Sequence, residues 1–430
     1  MENIVVGRDE KDLKKYGDVG TAFIGMHIVG KGEEAHLTNP ILMDVSRPHV
    51  ILIAGKRGSG KSYTGGVIAE EISRLQPDIK NNLTVVMIDT MGIYWSMKLP
   101  NEKEGDLLKE WKLKPSGIEA KLFVPKRYVK DYKDANIEID SQFTISVSEL
   151  TAEDWILTFN FSPIDDYGIL IERVLKSVKE KYGDSYSIQD IINEVEKDKR
   201  AEQRVKDVVI NRFLAAEEWG IFEKEGTKID DLLKPGIISV IDVSHYMRVS
   251  GAWSIRSMVV GLLSRKIFTE RLKARKSEEY GIITGVGVKK NVPLVWLIMD
   301  EAHQFIPNKG VTAASEALLT LAKEGREPGI SLVLITQRPN KLHEDVLSQA
   351  DIIISHRLTS KADFEALRSI MQTYMLEDIE EYINSLPRQK GTAIILDDNS
   401  ERIFTVHIRP RVSWHAGGSP IAIKEKRIFE

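Results

Sequence analysis

A glycine-rich loop between a strand and a helix is the feature that most constrains this 430-residue chain. Residues 49–54 form an apolar run typical of a buried strand, residues 55–62 read Gly-Lys-Arg-Gly-Ser-Gly-Lys-Ser, and residues 63–75 have the pattern of a helix. A strand, a loop of this composition and a helix together bind the phosphates of a nucleoside triphosphate. The sequence therefore predicts an α/β protein that binds ATP.

Each residue type in this loop has a chemical role. Glycines allow the backbone N–H groups to turn toward the β-phosphate, and the N-terminus of the following helix adds its dipole to the same anion site. The lysine reaches the β- and γ-phosphates, and the hydroxyl after it ligates Mg²⁺. The residues predicted to bind the nucleotide are Gly55, Gly58, Ser59, Gly60, Lys61, Ser62 and Tyr63, with Ser62 also predicted to bind the metal.

Composition excludes several classes of protein. The chain has no cysteine, which excludes disulfides, thiolate zinc sites and cysteine nucleophiles. Its net charge of -4 gives no overall basic surface, so contact with nucleic acid has to come from a local patch or from a ring of subunits. No apolar run approaches the roughly 18 residues that span a bilayer. We therefore expect a cytoplasmic protein without a transmembrane segment.

Two further strands are predicted to end in catalytic side chains. Residues 294–299 form a buried strand that is followed by Asp300 and Glu301. Because successive residues alternate faces, Asp300 is predicted to hold Mg²⁺ through water while Glu301 acts as the base for the attacking water. The strand at residues 331–336 ends at Gln337, which is predicted to sense the γ-phosphate or to orient the water; the alternative is a turn residue. The scattered histidines, His303 among them, lack metal-ligand spacing and are predicted to be structural.

Other polar residues at strand ends leave alternatives open. Asp89 follows the apolar run 83–88 and either positions Mg²⁺ or water or caps the strand end. An arginine supplied by a neighbouring subunit stabilises the charge of the transition state efficiently. Arg326, on a glycine-flanked loop, and Arg357, after the following strand, are the two candidates, and each has a surface or structural role as its alternative. An arginine of this kind requires an oligomer.

The pattern of elements predicts the organisation of the chain. It comprises a short β-rich N-terminal segment at 1–48, a first core part at 49–149, a helical insertion at 150–231, a second core part at 232–410 and a C-terminal tail at 411–430. The helix at 252–276 ends in a basic stretch that is either a solvated face or a contact with nucleic acid. Segments 98–114 and 278–290 are long, charged and placed between core elements, which makes them the candidate segments to test for loops that grip DNA.

The motifs resemble, in order, those of the HerA/FtsK superfamily of hexameric DNA-pumping ATPases, and the archaeal HerA group most of all. They lie at residues 55–62, 241–244, 299–303, 324–329 and 336–339, and the resemblance covers roughly residues 40 to 410. The resemblance implies a RecA-like P-loop (ASCE) ATPase core with a mostly parallel sheet. It also implies a homo-hexamer with nucleotide at the subunit interfaces and double-stranded DNA in the pore. By this resemblance Lys61 binds the phosphates and Ser62 binds Mg²⁺. Glu301 is then the base, Gln337 is the sensor of the γ-phosphate, and Arg326 is the arginine that acts in trans.

Two departures from the family pattern affect this expectation. The N-terminal barrel of the family, which helps dock a NurA-type nuclease, is larger than the 54 residues before Gly55. This difference argues against that partner and against a role in end resection. Ile93 also stands where the family usually has an acidic residue, so one carboxylate near the site is missing.

Three functions follow from these observations. The leading hypothesis is an ATP-driven ring that translocates or unwinds double-stranded DNA, with DNA repair as a setting. The second is a conjugation-like (VirB4-type) or packaging ATPase at a membrane machine. The third is a nucleotide-dependent oligomeric scaffold that turns over slowly. Glu301 distinguishes the scaffold hypothesis from the other two, since a scaffold or switch that hydrolyses ATP slowly has less need of a well-placed base.

Overall fold

The computed structural model of the chain describes residues 3–30, 34–247, 253–285, 292–369, 382–383, 386–387 and 389–418. The strands in these residues are β1 Ile4–Val6, β2 Thr21–Val29, β3 His36–Asp44, β4 Val50–Ala54, β5 Leu83–Asp89, β6 Ala120–Pro125, β7 Ser141–Phe143, β8 Ile145–Ser146, β9 Phe222–Glu223, β10 Ile238–Asp242, β11 Leu294–Met299, β12 Ile330–Thr336, β13 Ile352–His356, β14 Thr392–Asp397 and β15 Arg402–Ile408. The helices are α1 Glu10–Tyr16, α2 Lys61–Ser73, α3 Pro77–Lys80, α4 Gly105–Glu110, α5 Val129–Asp134, α6 Ala152–Thr158, α7 Asp166–Tyr182, α8 Ile188–Lys197, α9 Gln203–Glu217, α10 Ile229–Leu232, α11 Trp253–Thr284, α12 Ser315–Glu324, α13 Glu344–Leu347 and α14 Lys361–Arg368.

A parallel sheet forms the centre of the molecule. Its strands lie in the order β13, β4, β12, β11, β5, β10, β6 and β7, and every neighbouring pair is parallel. Every residue of β4, β5 and β12 is buried, which is what continuous apolar runs predict for strands covered on both faces. All these strands end at one edge of the sheet, here called the C-terminal edge; the opposite one is the N-terminal edge. The predicted α/β fold with a mostly parallel sheet is confirmed.

Antiparallel strands extend this sheet beyond β13. The hairpin β14–β15 pairs with β13, and β15 then pairs with β2 of a second hairpin, β2–β3. The β-rich N-terminal segment thus forms a hairpin, β2–β3, that belongs to the same sheet as the core. Val406 pairs with His27 across that junction. Because these partners are distant in sequence, no local pattern reveals the pairing.

Helices cover both faces of the sheet. One hydrophobic core contains the apolar side of α2, and the other contains α6 to α9, α11 and α12. Helices α6 to α10 lie within residues 150–231, the segment predicted as a helical insertion. At residues 141–146 the chain forms two short strands, β7 and β8, and β8 pairs with β9 in a separate small sheet.

Helix α11 is longer than the sequence pattern predicts. It continues to Thr284, so the loop predicted at 278–290 is wrong for residues 278–284; residues 286–290 lie outside the described part of the chain. Helix α11 is amphipathic only in part, and Tyr280, Ile282 and Ile283 near its end are exposed. No helix in the described residues is both long enough and apolar enough to cross a bilayer.

The first residues of the predicted C-terminal tail are buried. Arg411, Val412 and Ser413 have no exposed surface, and Ser413 forms an isolated bridge with Pro100. The backbone N–H of Trp414 donates to the carbonyl oxygen of Leu99 at 2.8 Å. Residues 411–416 therefore pack between α2 and the segment 94–104. Residues 419–430 lie outside the described part.

Candidate nucleotide site

The loop at residues 55–62 has the backbone that its glycines predict. Gly55, Gly58 and Gly60 have φ angles of 154°, 75° and 112°, which other residues rarely adopt. At Gly55 space is short as well, because a Cβ there would lie 2.6 Å from the Cβ of His356. Helix α2 begins at Lys61, directly after this loop, so its unpaired N-terminal N–H groups lie beside it. The loop is a cradle for an anion.

Lys61, Ser62 and Asp300 lie together at the C-terminal edge. The Ser62 hydroxyl donates a hydrogen bond to Oδ2 of Asp300, which follows β11 and is 2% exposed. Oδ1 of Asp300 accepts the backbone N–H of Glu301 at 2.8 Å. Nζ of Lys61 donates to the carbonyl oxygen of Lys56 at 3.0 Å, which keeps the ammonium at the loop. Burial lowers the pKa of Lys61, and the charges of the two carboxylates oppose that change.

Glu301 is a partly buried carboxylate, 16% exposed, with few hydrogen-bond donors. Its Oε2 has no hydrogen-bond partner among the described residues. Burial, followed by the charge of Asp300, raises the pKa of Glu301 to about 7, while Lys61 and a hydrogen bond from Gln337 act in the opposite direction. Its backbone is left-handed, with φ 53° and ψ 40°, which costs about 1–2 kcal/mol for a residue with a Cβ. Glu301 therefore exchanges a proton near neutral pH.

Gln337 lies beside Glu301 because β12 and β11 are parallel neighbours that end together. The imidazole of His303 borders the same carboxylate. Nδ1 of His303 lies 3.4 Å from Oε2 of Glu301 and 3.0 Å from the Thr336 hydroxyl. Burial, together with the charge of Arg338, lowers the pKa of His303 to about 4, so its imidazole is neutral at pH 7. The sequence reading left His303 outside the site; its position two residues after Glu301 was the available signal.

The sequence reading also missed two buried residues that support the site. Arg256 of α11 is 1% exposed, and burial lowers its pKa to about 10 while the charge of Glu301 raises it. His356 ends β13, and its Nε2 lies 2.9 Å from Oγ1 of Thr64 in α2. Burial lowers the pKa of His356 to about 4, so it is a neutral side chain packed under the loop. The signal for Arg256 was a lone charge within an apolar helical run.

Asp89 caps the turn after β5. Its Oδ1 accepts the N–H groups of Met91 and Gly92 at 3.1 and 2.7 Å, and its Oδ2 accepts those of Ile93 and Tyr94 at 2.8 and 2.7 Å. All four donors lie in the turn itself. Of the two interpretations of Asp89, the structure therefore favours the strand-end cap.

The two candidate arginines lie at opposite edges of the sheet. Arg357 follows β13 at the C-terminal edge, where its carbonyl oxygen accepts the N–H of Lys56 at 2.8 Å. Arg326 precedes β12 at the N-terminal edge; its side chain is 44% exposed, and its Nη1 lies 4.0 Å from Oδ2 of Asp351. The length of a strand, roughly 20 Å, separates Arg326 from the phosphate loop of its own chain. Only Arg357 is beside that loop.

Tyr63 contributes its backbone to the first turn of α2, but its side chain turns away from the loop. The hydroxyl donates to Glu104 at 2.9 Å and accepts the N–H of Arg411. The ring packs edge-on against His415, with centroids 5.2 Å apart. The Tyr63 side chain therefore binds the C-terminal segment.

The residues at this edge suit ATP with Mg²⁺. The Ser62 hydroxyl and the Asp300 carboxylate are oxygen donors of the type that this hard cation prefers. Within the described residues, no group of three or more His, Asp or Glu has the geometry of a metal site. Mg²⁺ usually binds through one or two carboxylates together with substrate phosphates, so two protein oxygens are sufficient.

Comparison with known proteins agrees with this geometry. The sequence pattern of a family described as "Helicase HerA, central domain" matches residues 28–267, more than half of the chain. The chain belongs to the HerA helicase family. This membership confirms the family resemblance drawn from the motifs.

Relatives in the HerA family are long proteins of archaea. The chain is 30% identical over 180 residues to the DNA double-strand break repair helicase HerA of Pyrococcus furiosus, covering 38% of this chain and 31% of the relative. It is 24% identical over 401 residues to the protein of the same name from Saccharolobus solfataricus, covering 90% of this chain and 68% of the relative. The aligned regions thus span between about a third and two thirds of these relatives' lengths.

Solved structures share the HerA-family fold at low sequence identity. VirB4 of Thermoanaerobacter pseudethanolicus is 11% identical, with a TM-score of 0.52 over 90% of this chain and 97% of that chain. The bacterial conjugative coupling protein TrwBdeltaN70 is 14% identical, with a TM-score of 0.50 over 94% of this chain and 99% of that chain. These similarities support the RecA-like P-loop fold.

Proposed function

We propose that this HerA-family chain hydrolyses ATP with Mg²⁺ and uses the free energy to translocate or unwind double-stranded DNA. The observation that carries the proposal is the meeting of four side chains at one sheet edge: Lys61, Ser62, Asp300 and Glu301. The first two come from the phosphate loop and the last two from the end of β11. Ser62 and Asp300 are in hydrogen-bond contact, and Glu301 is the adjacent residue.

The nucleotide-binding roles follow from these positions. The backbone at Gly55, Gly58 and Gly60 surrounds the phosphates, and Lys61 neutralises the β- and γ-phosphate charge. Ser62 and Asp300 would hold Mg²⁺. When bound, this ion offsets the negative charge that develops on the phosphate oxygens.

Hydrolysis follows from the pKa of Glu301. The water oxygen forms a bond to the γ-phosphorus, the bond to the β–γ bridging oxygen breaks, and the water proton passes to the Glu301 carboxylate. A base with a pKa of about 7 is ionised in much of the protein at neutral pH and accepts a proton readily. Gln337, hydrogen-bonded to Glu301, orients the attacking water.

The transition state also needs positive charge on the γ-phosphoryl oxygens. Arg326 cannot reach the loop of its own chain across the sheet, but it is exposed and lies at the opposite edge. In a head-to-tail ring a surface of one subunit meets a different surface of the next, and in the proposed ring the N-terminal edge of one subunit lies against the C-terminal edge of its neighbour. Arg326 then acts in trans in a homo-hexamer, whereas the backbone of Arg357, the other candidate, lies beside the loop of its own chain.

Action on DNA is supported by the relatives. Both archaeal relatives are named as DNA double-strand break repair helicases, and one of them aligns with 90% of this chain. The first experiment is steady-state ATP hydrolysis by the purified protein with and without linear double-stranded DNA. Glu301→Gln serves as the blank for contaminating ATPase. We expect DNA to stimulate hydrolysis several-fold in the wild type and not in the variant.

Movement along DNA needs its own measurement. Displacement of a third strand from a DNA triplex, dependent on ATP and lost in Glu301→Gln, would support translocation. ATP hydrolysis that DNA neither stimulates nor couples to displacement would contradict the proposal. Slow turnover of that kind would instead favour a nucleotide-dependent scaffold, and rapid DNA-independent turnover would favour a motor for another cargo.

A further inference from the structure

The loop that carries Arg326 is a tight turn between α12 and β12. The N–H of Ile330 donates to the carbonyl oxygen of Gly325 at 2.8 Å, and the N–H of Gly329 donates to that of Arg326 at 3.2 Å. Gly329 has a φ of 94°, and a Cβ there would lie 2.4 Å from the Leu294 side chain. The turn is therefore short and closely packed on β11.

A second arginine, Arg271 of α11, holds this turn from inside the protein. Its side chain has no exposed surface. Its Nε donates to the carbonyl oxygen of Pro328 at 2.8 Å, two residues from Arg326. Its Nη1 donates to the carbonyl oxygen of Val292 and to Oε1 of Glu278 at 3.0 Å. One guanidinium thus joins the turn, the start of β11 and the end of α11.

A role in packing alone does not explain Arg271. Taking a guanidinium out of water costs several kcal/mol, and an apolar side chain of similar volume often serves stability as well or better. Nη2 of Arg271 has no hydrogen-bond partner among the described residues, and the residue borders a cavity of roughly 520 Å³ together with Arg326. The contacts that Arg271 does make fix the backbone of the turn rather than fill a core.

We propose that Arg271 is a positioning residue for Arg326: its bond to Pro328 fixes the turn so that the Arg326 side chain points out from the N-terminal edge toward the nucleotide of the neighbouring subunit. The inference rests on the trans role proposed for Arg326. It predicts that loss of Arg271 slows the chemical step at the neighbouring site and leaves ATP binding intact. Small displacements of a catalytic group are enough to reduce a rate strongly.

The first test compares three variants of the full chain. In Arg271→Gln we expect kcat for ATP hydrolysis to fall by tenfold or more, with KM changed by less than twofold. In Arg271→Lys we expect a smaller loss, because its ammonium can still donate to Pro328, although donors on one nitrogen lack the spread by which the guanidinium also reaches Val292 and Glu278. Lys273→Gln, on the same helix with a side chain that is 68% exposed, is the matched control and should keep the wild-type kcat.

The second test separates a trans effect from damage within one subunit. Subunits of Arg271→Gln are mixed with subunits of Glu301→Gln, which lack the base but keep the turn. In a head-to-tail ring, about a quarter of the interfaces then join an intact base to an intact Arg326 turn, so activity should exceed the sum of the two separate preparations. If Arg271→Gln does not fold, Arg271→Lys takes its place in the mixture.

A parallel mixture of Arg326→Ala with Glu301→Gln tells the two proposals apart. Recovery of activity in that mixture, but not in the Arg271 mixture, would overturn the positioning role and leave the trans role of Arg326 standing. Recovery in neither would overturn the trans role and the positioning role with it. A wild-type kcat in Arg271→Gln would also reject the inference.

Discussion

Two glutamates that are largely removed from water, Glu70 and Glu301, have opposite surroundings. Glu70 of α2 is paired on both oxygens: Oε2 with Nη1 of Arg409 and Oε1 with Nε of Arg411, each at 3.0 Å. It also accepts the N–H groups of Val412 and Ser413, both at 3.1 Å. Glu301 at the end of β11 has one oxygen without a hydrogen-bond partner among the described residues.

The pKa values follow these surroundings. Burial opposes ionisation of both carboxyls, but Arg411 and Arg409 hold the pKa of Glu70 below its usual value. At Glu301 burial prevails and raises the pKa to about 7. A fully paired buried carboxylate is a fixed charge that joins α2 to the C-terminal segment. An incompletely paired one can exchange protons, and strongly perturbed groups of that kind are common at active sites.

The largest expected difference between the two glutamates is in catalysis. Glu301→Gln should reduce kcat for ATP hydrolysis by about 10²–10⁴-fold, because the amide cannot accept the proton of the attacking water. Nucleotide affinity should change little, since Lys61 and the loop are intact. Steady-state hydrolysis and titration with a fluorescent ATP analogue measure the two quantities. Glu102→Gln, an exposed change, is the control; a kcat within fivefold of wild type in Glu301→Gln would exclude Glu301 as the base.

Glu70 should matter for stability. Glu70→Gln leaves two buried arginines without their shared carboxylate, and breaking such a pair costs about 3–5 kcal/mol of the free energy of unfolding. Glu71→Gln is the matched control: it also contacts Arg409, at 2.8 Å, but leaves Glu70 in place, so its cost should be smaller. Urea unfolding at pH 7 gives both values. Equal stability of the two variants would show that the Glu70 cluster, which is Glu70 with Arg409, Arg411, Val412 and Ser413, does not hold the C-terminal segment.

The sequence revealed the parts of the site whose signals are local. The phosphate loop is a glycine-rich sequence that follows an apolar run, and Asp300 and Gln337 also follow apolar runs. The structure has the strands β4, β11 and β12 at these three runs. The Glu70 cluster was not predicted, because α2 meets Arg409 and Arg411 only through contacts between residues far apart in sequence. A glutamate on the apolar side of α2 was the only local sign of a buried partner.

Local sequence patterns also could not show at which edge of the sheet each candidate arginine lies. Arg326 and Arg357 both adjoin strands in sequence, one before β12 and one after β13. Only the parallel pairing of β12 and β13 with β4 shows that these positions are at opposite edges. The same pairing brings Gln337 to Glu301. Strand order, which depends on packing across the whole sheet, therefore decided which predicted residues meet.

The dependence of stability on pH should have opposite signs for the two glutamates. The folded-state pKa of Glu301 is above its unfolded value of about 4.5. The contribution of Glu301 to the free energy of unfolding is therefore fully present below about pH 4.5 and is lost as the pH rises through about 7. The Glu70 contribution is present above about pH 4.5 and is lost as the pH falls below it. Glu301→Gln should thus raise the free energy of unfolding at pH 8 by up to about 3 kcal/mol and change it little at pH 4.

That comparison is made on the nucleotide-free protein, because bound ATP stabilises the folded state by mass action. Unfolding in urea at pH 4 and pH 8, with the wild type and Glu102→Gln beside Glu301→Gln, gives the required differences. A stabilisation that is the same at both pH values would mean that Glu301 does not carry its proton in the folded protein near pH 7.

The smallest expected effect is a shift in the pH profile of catalysis. The kcat/KM for ATP reports the ionisation of the free enzyme, so it should rise about tenfold per pH unit below pH 7 and level off above it, with a midpoint near 7.

Arg338 lowers the pKa of Glu301 through its positive charge. Arg338→Gln should therefore move the midpoint to higher pH, and because Arg338 is exposed to water the shift should be a few tenths of a unit. Arg357→Gln, which changes a charge at the same edge, should leave the midpoint in place. A midpoint that moves down in Arg338→Gln, or follows Arg357 instead, would assign the titration to a group other than Glu301.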